Sequence, residues 1–166
     1  DPRYDAGWIY VEKDISPAEF SDSLFGEEQD AHALYFIPPD GQPLRRVAEG
    51  FANPNGVVGT TDGKTLYVSD TVKKEIYRFD ILPDGSLTNR VVFVSEYSDG
   101  LTLDEMHNLY ITNGGIQIYN PSGERITTIE LPLQSSNVCF GGEDRKTLFI
   151  TARQALYGIR MKVTGQ

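Results

Sequence analysis

Three oxygen-bearing residues recur at related positions: Asn55, Asp99 and Asn137. Asn55 stands in Asn53-Pro54-Asn55-Gly56-Val57, Asp99 in Ser98-Asp99-Gly100-Leu101, and Asn137 in Ser136-Asn137-Val138-Cys139. A carboxylate and carboxamides from separate chain segments are the hard oxygen donors that calcium and similar cations take. The carboxylate can also carry protons beside a polarised substrate. Each has a plainer reading beside it. Asn-Gly and Asp-Gly are turn dipeptides, because Asn and Asp tolerate the left-handed backbone that tight turns need. Asn137 lacks the following glycine and reads as a loop cap.

Other chemistries find little material. The two histidines, His32 and His107, are too few for a His-rich zinc site or a His-based triad. The single cysteine, Cys139, excludes an internal disulfide and leaves the redox compartment open. It sits in the apolar run Val138-Cys139-Phe140 and reads as a small core residue. A net charge of −9 argues against nucleic-acid binding, which needs basic patches. No apolar run reaches the ~18 residues of a membrane span.

The elements that must position the donors are strands. Alternating or β-branched runs recur about every ten residues, parted by Gly, Pro, Asn and Asp. They are predicted at 33–37, 44–48, 56–59, 65–69, 75–81, 91–95, 101–103, 108–112, 116–119, 125–131, 138–140, 147–151 and 155–161. Turn signals join many of them, at Pro39-Asp40-Gly41, Asp62-Gly63, Pro83-Asp84-Gly85 and Pro121-Ser122-Gly123. One short helical turn is expected over Pro17–Phe25, behind the cap Ser16.

The strands come in repeats. Asn55-Gly56-Val57 is followed by Asp62-Gly63-Lys64-Thr65-Leu66-Tyr67-Val68-Ser69-Asp70. Asp99-Gly100-Leu101 is followed by Asp104 to Asn113, and Asn137-Val138-Cys139 by Glu143 to Thr151. Four strands per period of roughly 40 residues is the arithmetic of a β-propeller blade. The prediction is an all-β chain of about three four-stranded blades, a single partial propeller domain over 1–166. Closed propellers use about four to eight blades, so these belong to, or assemble into, a larger ring. A preceding N-terminal segment or a second copy of the chain is expected to close it. The start, Asp1-Pro2-Arg3-Tyr4, reads as the end of an inner strand. Residues opening each innermost strand converge on one end of the axis, and these are Asn55, Asp99 and Asn137. Asp70 and Asn113, which end the next strands, are expected at the opposite end. Asp62, Asp84, Asp104 and His107 are assigned to turns.

The ordered set of motifs resembles the gluconolactonase/regucalcin family of six-bladed propellers. The matching stretches are Asp1–Tyr4, Asn53–Val57, Asp62–Thr71, Ile76–Asp80, Ser98–Asp104, Asn108–Thr112, Asn137–Gly142 and Lys146–Ala152. The match is weakest over residues 5–30. The resemblance implies metal-dependent hydrolysis of a sugar lactone, with one divalent cation at the axis polarising the lactone carbonyl. It implies calcium, with zinc, manganese or magnesium as alternatives. It makes Asn55 and Asp99 metal ligands, Asp99 the acid or base of the reaction, and Asn137 structural. The family's other ligands, a Glu and an Asn from earlier blades, have no counterpart in this sequence, nor does its substrate-contacting region. The chain therefore resembles the family's C-terminal half. A non-catalytic calcium- or ligand-binding propeller, or a fragment without a complete site, is the alternative.

Overall fold

The computed structural model describes residues 7–11, 31–39 and 41–166. The helical turn expected at Pro17–Phe25 lies outside them. The described residues form fourteen strands in four antiparallel sheets. The first sheet holds β1 (Gly7–Val11), β2 (Ala33–Ile37) and β3 (Arg45–Glu49). The second holds β4 (Pro54–Gly59), β5 (Thr65–Asp70), β6 (Glu75–Ile81) and β7 (Leu87–Val94). The third holds β8 (Leu101–Leu103), β9 (Leu109–Asn113), β10 (Gly115–Tyr119) and β11 (Arg125–Ile129). The fourth holds β12 (Ser135–Gly141), β13 (Thr147–Ala152) and β14 (Ala155–Arg160). Strand order within each sheet follows chain order. The sheets are propeller blades, and β1 is the strand that the sequence pattern does not show.

The first strands of successive blades lie against one another, β1 on β4, β4 on β8 and β8 on β12. They are the innermost strands and set the axis. The tips are turned by residues with left-handed backbone, Gly41, Gly63, Gly85 and Gly123, at the four predicted signals. Where the repeat has no glycine, His107 (φ 62°) and Arg145 (φ 54°) take the same conformation.

Strand alternation distributes the core between blades. On β5, Leu66 and Val68 pack with Leu34, Phe51, Tyr77 and Phe79, while Tyr67 faces the other way and packs with Leu101, Leu103, Leu109 and Ile111. On β9, Tyr110 turns from that cluster to join Ile116, Ile118, Val138, Leu148 and Ile150. The second and third blades thus contribute both faces to these clusters, the first and the fourth one face each. Cys139, Phe149 and Leu156, on the far face of the fourth blade, are exposed, Leu156 by 67%. Cys139 is therefore not a core residue. Val138 points inward, and the pleat sends its neighbour outward.

A candidate metal centre at the channel mouth

The approach to Asn55 is clamped by a buried carboxylate. Asp70, fully buried at the end of β5, accepts hydrogen bonds from the backbone N–H of Ala52 (2.7 Å), Asn53 (3.1 Å) and Lys73 (3.1 Å). Thr71 N–H donates to the Asn53 carbonyl at 3.0 Å. Pro54 has no N–H to satisfy, which suits its buried position. Asp70 faces Pro54 directly across the β4–β5 ladder. It is therefore at the same end of the blade as Asn55, not the opposite end. In an antiparallel hairpin the end of one strand lies beside the start of its partner.

Between Pro54 and Val57 the ladder shifts register, with two residues of β4, Asn55 and Gly56, standing against Ser69 alone. A bulge of this kind re-aims a side chain. Gly56 N–H donates to Ser69 Oγ at 2.8 Å. Neither Asn55, Gly56, Asp99 nor Gly100 has a positive φ, so no left-handed turn is made there. Gly56 is needed for another reason. A Cβ on it would come within 2.5 Å of the Asp99 carbonyl oxygen and 2.9 Å of Leu101 Cγ. The glycine lets the next inner strand approach.

Asp99 is held by an equivalent hydroxyl. Thr112 Oγ1 accepts from Asp99 N–H (3.1 Å) and Gly100 N–H (2.9 Å). Thr112 N–H in turn donates to Ser98 Oγ at 3.0 Å, and Ser98 Oγ–H to the Gly100 carbonyl at 2.8 Å. Both hydroxyl side chains are fully buried. Asn113, paired with β10 beyond Thr112, donates to Glu96 at 2.8 Å and so also lies at the Asp99 end, again contrary to expectation.

The two candidate ligands meet. Asn55 Nδ2 donates to Asp99 Oδ1 at 3.2 Å, across 44 residues of sequence and from one blade to the next. Tyr97 Oη donates to the same oxygen at 2.7 Å. Burial, then the hydrogen bond to Asp99 and its charge, push the Tyr97 hydroxyl up to about 12. It stays a donor at neutral pH. The oxygens left over are Asp99 Oδ2 and Asn55 Oδ1, neither of which has an internal partner among the described residues or counts as a buried orphan. One carboxylate and one carboxamide oxygen remain open. That fits two positions of a hard cation's shell, but calcium takes about six to eight oxygens. Among the described residues no group of three or more His, Cys, Asp or Glu could hold a metal.

Asn137 lies in β12 rather than in a loop, and its Oδ1 accepts from Val138 N–H at 2.8 Å. It packs on Gly100, whose Cβ position would be 2.4 Å from Asn137 Oδ1. The sequence reading missed Tyr97, Ser69 and Thr112. The last two had a signal: they occupy the same place in the repeat, one residue before Asp70 and Asn113.

A family model described as the SMP-30/gluconolactonase/LRE-like region matches residues 19–154. The chain belongs to this family. It is 32% identical over 157 residues to a gluconolactonase of Zymomonas mobilis, an alignment covering 84% of this chain and 43% of that protein. A solved gluconolactonase from Xanthomonas campestris superposes with a TM-score of 0.78 at 29% identity, over 97% of this chain and 54% of that one. A structure of regucalcin, described as a calcium-binding protein, from Agrobacterium tumefaciens gives a TM-score of 0.71 at 21% identity, over 81% and 54%, and supports the fold alone. The chain spans about half the length of the relatives it matches.

Proposed function

We propose that the chain is part of a propeller that hydrolyses a sugar lactone with a divalent cation at its axis, and that Asn55 and Asp99 supply two of the ligands. The observation carrying this reading is the Asn55–Asp99 contact between adjacent inner strands. Membership of the family supports the lactone as substrate class. Calcium is the cation best suited to neutral amide and carboxylate oxygens, with zinc, manganese and magnesium as alternatives. When bound, the cation supplies polarisation of the lactone carbonyl. The Asp99 carboxylate takes the proton from the attacking water as the new C–O bond forms. It returns the proton to the ring oxygen as the ester bond breaks, giving the open-chain sugar acid.

Two ligands are too few for a tight site, so the remaining donors come from outside these blades. Further chain belonging to the same propeller, or a second copy of these blades, completes the ring and the shell. The donor shortage also favours a second reading of the isolated 166 residues: on their own they are a fragment without turnover. Assaying them on gluconolactone with and without calcium, zinc and manganese separates the two states.

The test of the site uses the complete propeller. Asp99→Ala should lower kcat/KM by roughly 10²–10⁴-fold and abolish calcium binding by calorimetry. Wild-type turnover in that variant rules the reading out.

A further inference from the structure

Asp99 is not held by its backbone alone. We propose that Tyr97 is a positioning residue for the metal centre: its hydroxyl fixes the Asp99 carboxylate so that Oδ1 is engaged inside the protein and Oδ2 is presented to the cation. This rests on the assignment of Asp99 as a ligand.

Three observations carry it. First, the two hydrogen bonds on Asp99 are asymmetric. Tyr97 Oη (2.7 Å) and Asn55 Nδ2 (3.2 Å) both fall on Oδ1. Rotation about the Asp99 side chain would break both, so together they set which oxygen is free.

Second, the segment carrying Tyr97 is anchored on each side. Glu96, before it, accepts from Asn113 Nδ2 at 2.8 Å. Ser98, after it, is fully buried and bonded to the Gly100 carbonyl and to Thr112 N–H. A phenol on a clamped segment is a rigid donor. An exposed side chain at the same place would lose much of that effect to its own rotamer freedom.

Third, the device belongs to this blade. Two residues before Asn55 stands Asn53, and two before Asn137 stands Ser135. Only the carboxylate, which has two equivalent oxygens to choose between, is given a tyrosine. Partners of metal ligands act in this way elsewhere. They orient the ligand, and removing one typically costs about 10–100-fold in metal affinity or activity.

The experiment compares Tyr97→Phe and Asp99→Ala with the wild-type complete propeller, using calcium alone as the binding probe. Tyr97→Phe removes one oxygen and keeps the ring. The expected result is calcium affinity weakened by about 10–100-fold, with the calcium-free melting temperature within ~2 °C of wild type. At saturating calcium, kcat falls while KM for gluconolactone stays within about twofold, because Tyr97 acts through Asp99 and not on the substrate. A purely structural tyrosine would lower the calcium-free melting temperature and leave the calcium constant alone; that pattern overturns the proposal. So does a Tyr97→Phe protein whose calcium affinity and kcat both match wild type while Asp99→Ala has lost calcium. If Asp99→Ala still binds calcium normally, the ligand assignment itself is wrong, and the role of Tyr97 falls with it.

Discussion

At the scale of single residues, the glycines that follow the candidate ligands have a use that dipeptide statistics do not suggest. Gly56 and Gly100 are not turn residues. Each is a gap in one inner strand into which the next is packed, Gly56 against the Asp99 carbonyl and Gly100 against Asn137. Proximity of the blades is therefore coupled to proximity of the ligands. A methyl group at position 56 has no free volume, and its nearest neighbour is backbone, which yields less readily than a side chain. Gly56→Ala should destabilise the protein by about 1–3 kcal/mol, read by urea denaturation. It should also weaken calcium binding in the complete propeller, because Asp99 must retreat from Asn55. A Gly56→Ala protein with wild-type stability would mean that the inner strands are not as closely packed as described. Asn55 stood out as a candidate through the family resemblance; its Asn-Gly dipeptide alone read as a turn, which the backbone here does not make. Tyr97 did not stand out, because a phenol two residues before a carboxylate is an ordinary sequence event until the loop geometry brings the two together.

At the scale of elements, each hairpin is built by the same chemistry, and its pH response follows. Asp62 accepts from Thr60 Oγ1 (2.6 Å) and Lys64 N–H (3.1 Å), Asp84 from Ser86 N–H (3.0 Å) and Oγ (2.9 Å), and Asp144 from Lys146 N–H (3.1 Å) and the Arg160 guanidinium. The Thr60 hydroxyl holds the Asp62 carboxyl below its usual range, the Ser86 backbone N–H does so for Asp84, and Arg160 brings Asp144 to about 2. A carboxylate depressed in the folded state stabilises it above the unfolded value of ~3.9. That contribution is lost as pH falls through the folded-state values. Asn at these positions still caps the turn but carries no charge. The triple variant Asp62→Asn, Asp84→Asn, Asp144→Asn should melt below wild type at pH 7, and the gap should close as pH falls toward 2. A gap independent of pH would assign the turns to geometry alone. These hairpins were readable because Asp-Gly and its variants recur at two places in the repeat, between the first and second strands (Asp62, Asp144) and between the third and fourth (Asp84). The strands were readable for the same reason: those predicted at 33–37, 75–81 and 101–103 have the observed bounds. Asp70 and Asn113 were assigned to the wrong end of the blade. A linear repeat orders residues along the chain, and only the antiparallel ladder returns them to the mouth.

At the scale of the whole molecule, the blades are interdependent, and the one misread core residue shows it. A propeller blade has no core of its own. It has two faces, each covered by a neighbour, and the clusters between the four sheets follow that rule. Cys139 alternates with Val138 as any buried strand residue would, so the sequence pattern marks it as core. Its face, shared with Phe149 and Leu156, has no neighbouring sheet among the described residues. In the proposed ring a further blade covers that face, and the same closure brings in the missing ligands. The chain's single cysteine makes this measurable without mutation. In the 166-residue chain, Cys139 should react with an aromatic disulfide reagent at a rate close to that of a free thiol. In the complete propeller the thiol should be protected by at least tenfold, and protection should be lost in parallel with calcium binding when the ring is opened by denaturant. If the added blades come from a second copy, the protection will depend on protein concentration; if they come from the same polypeptide, it will not. Equal reactivity in the isolated blades and the complete protein would place the ring's closing surface elsewhere, and would leave Asn55 and Asp99 without the neighbours that a cation needs.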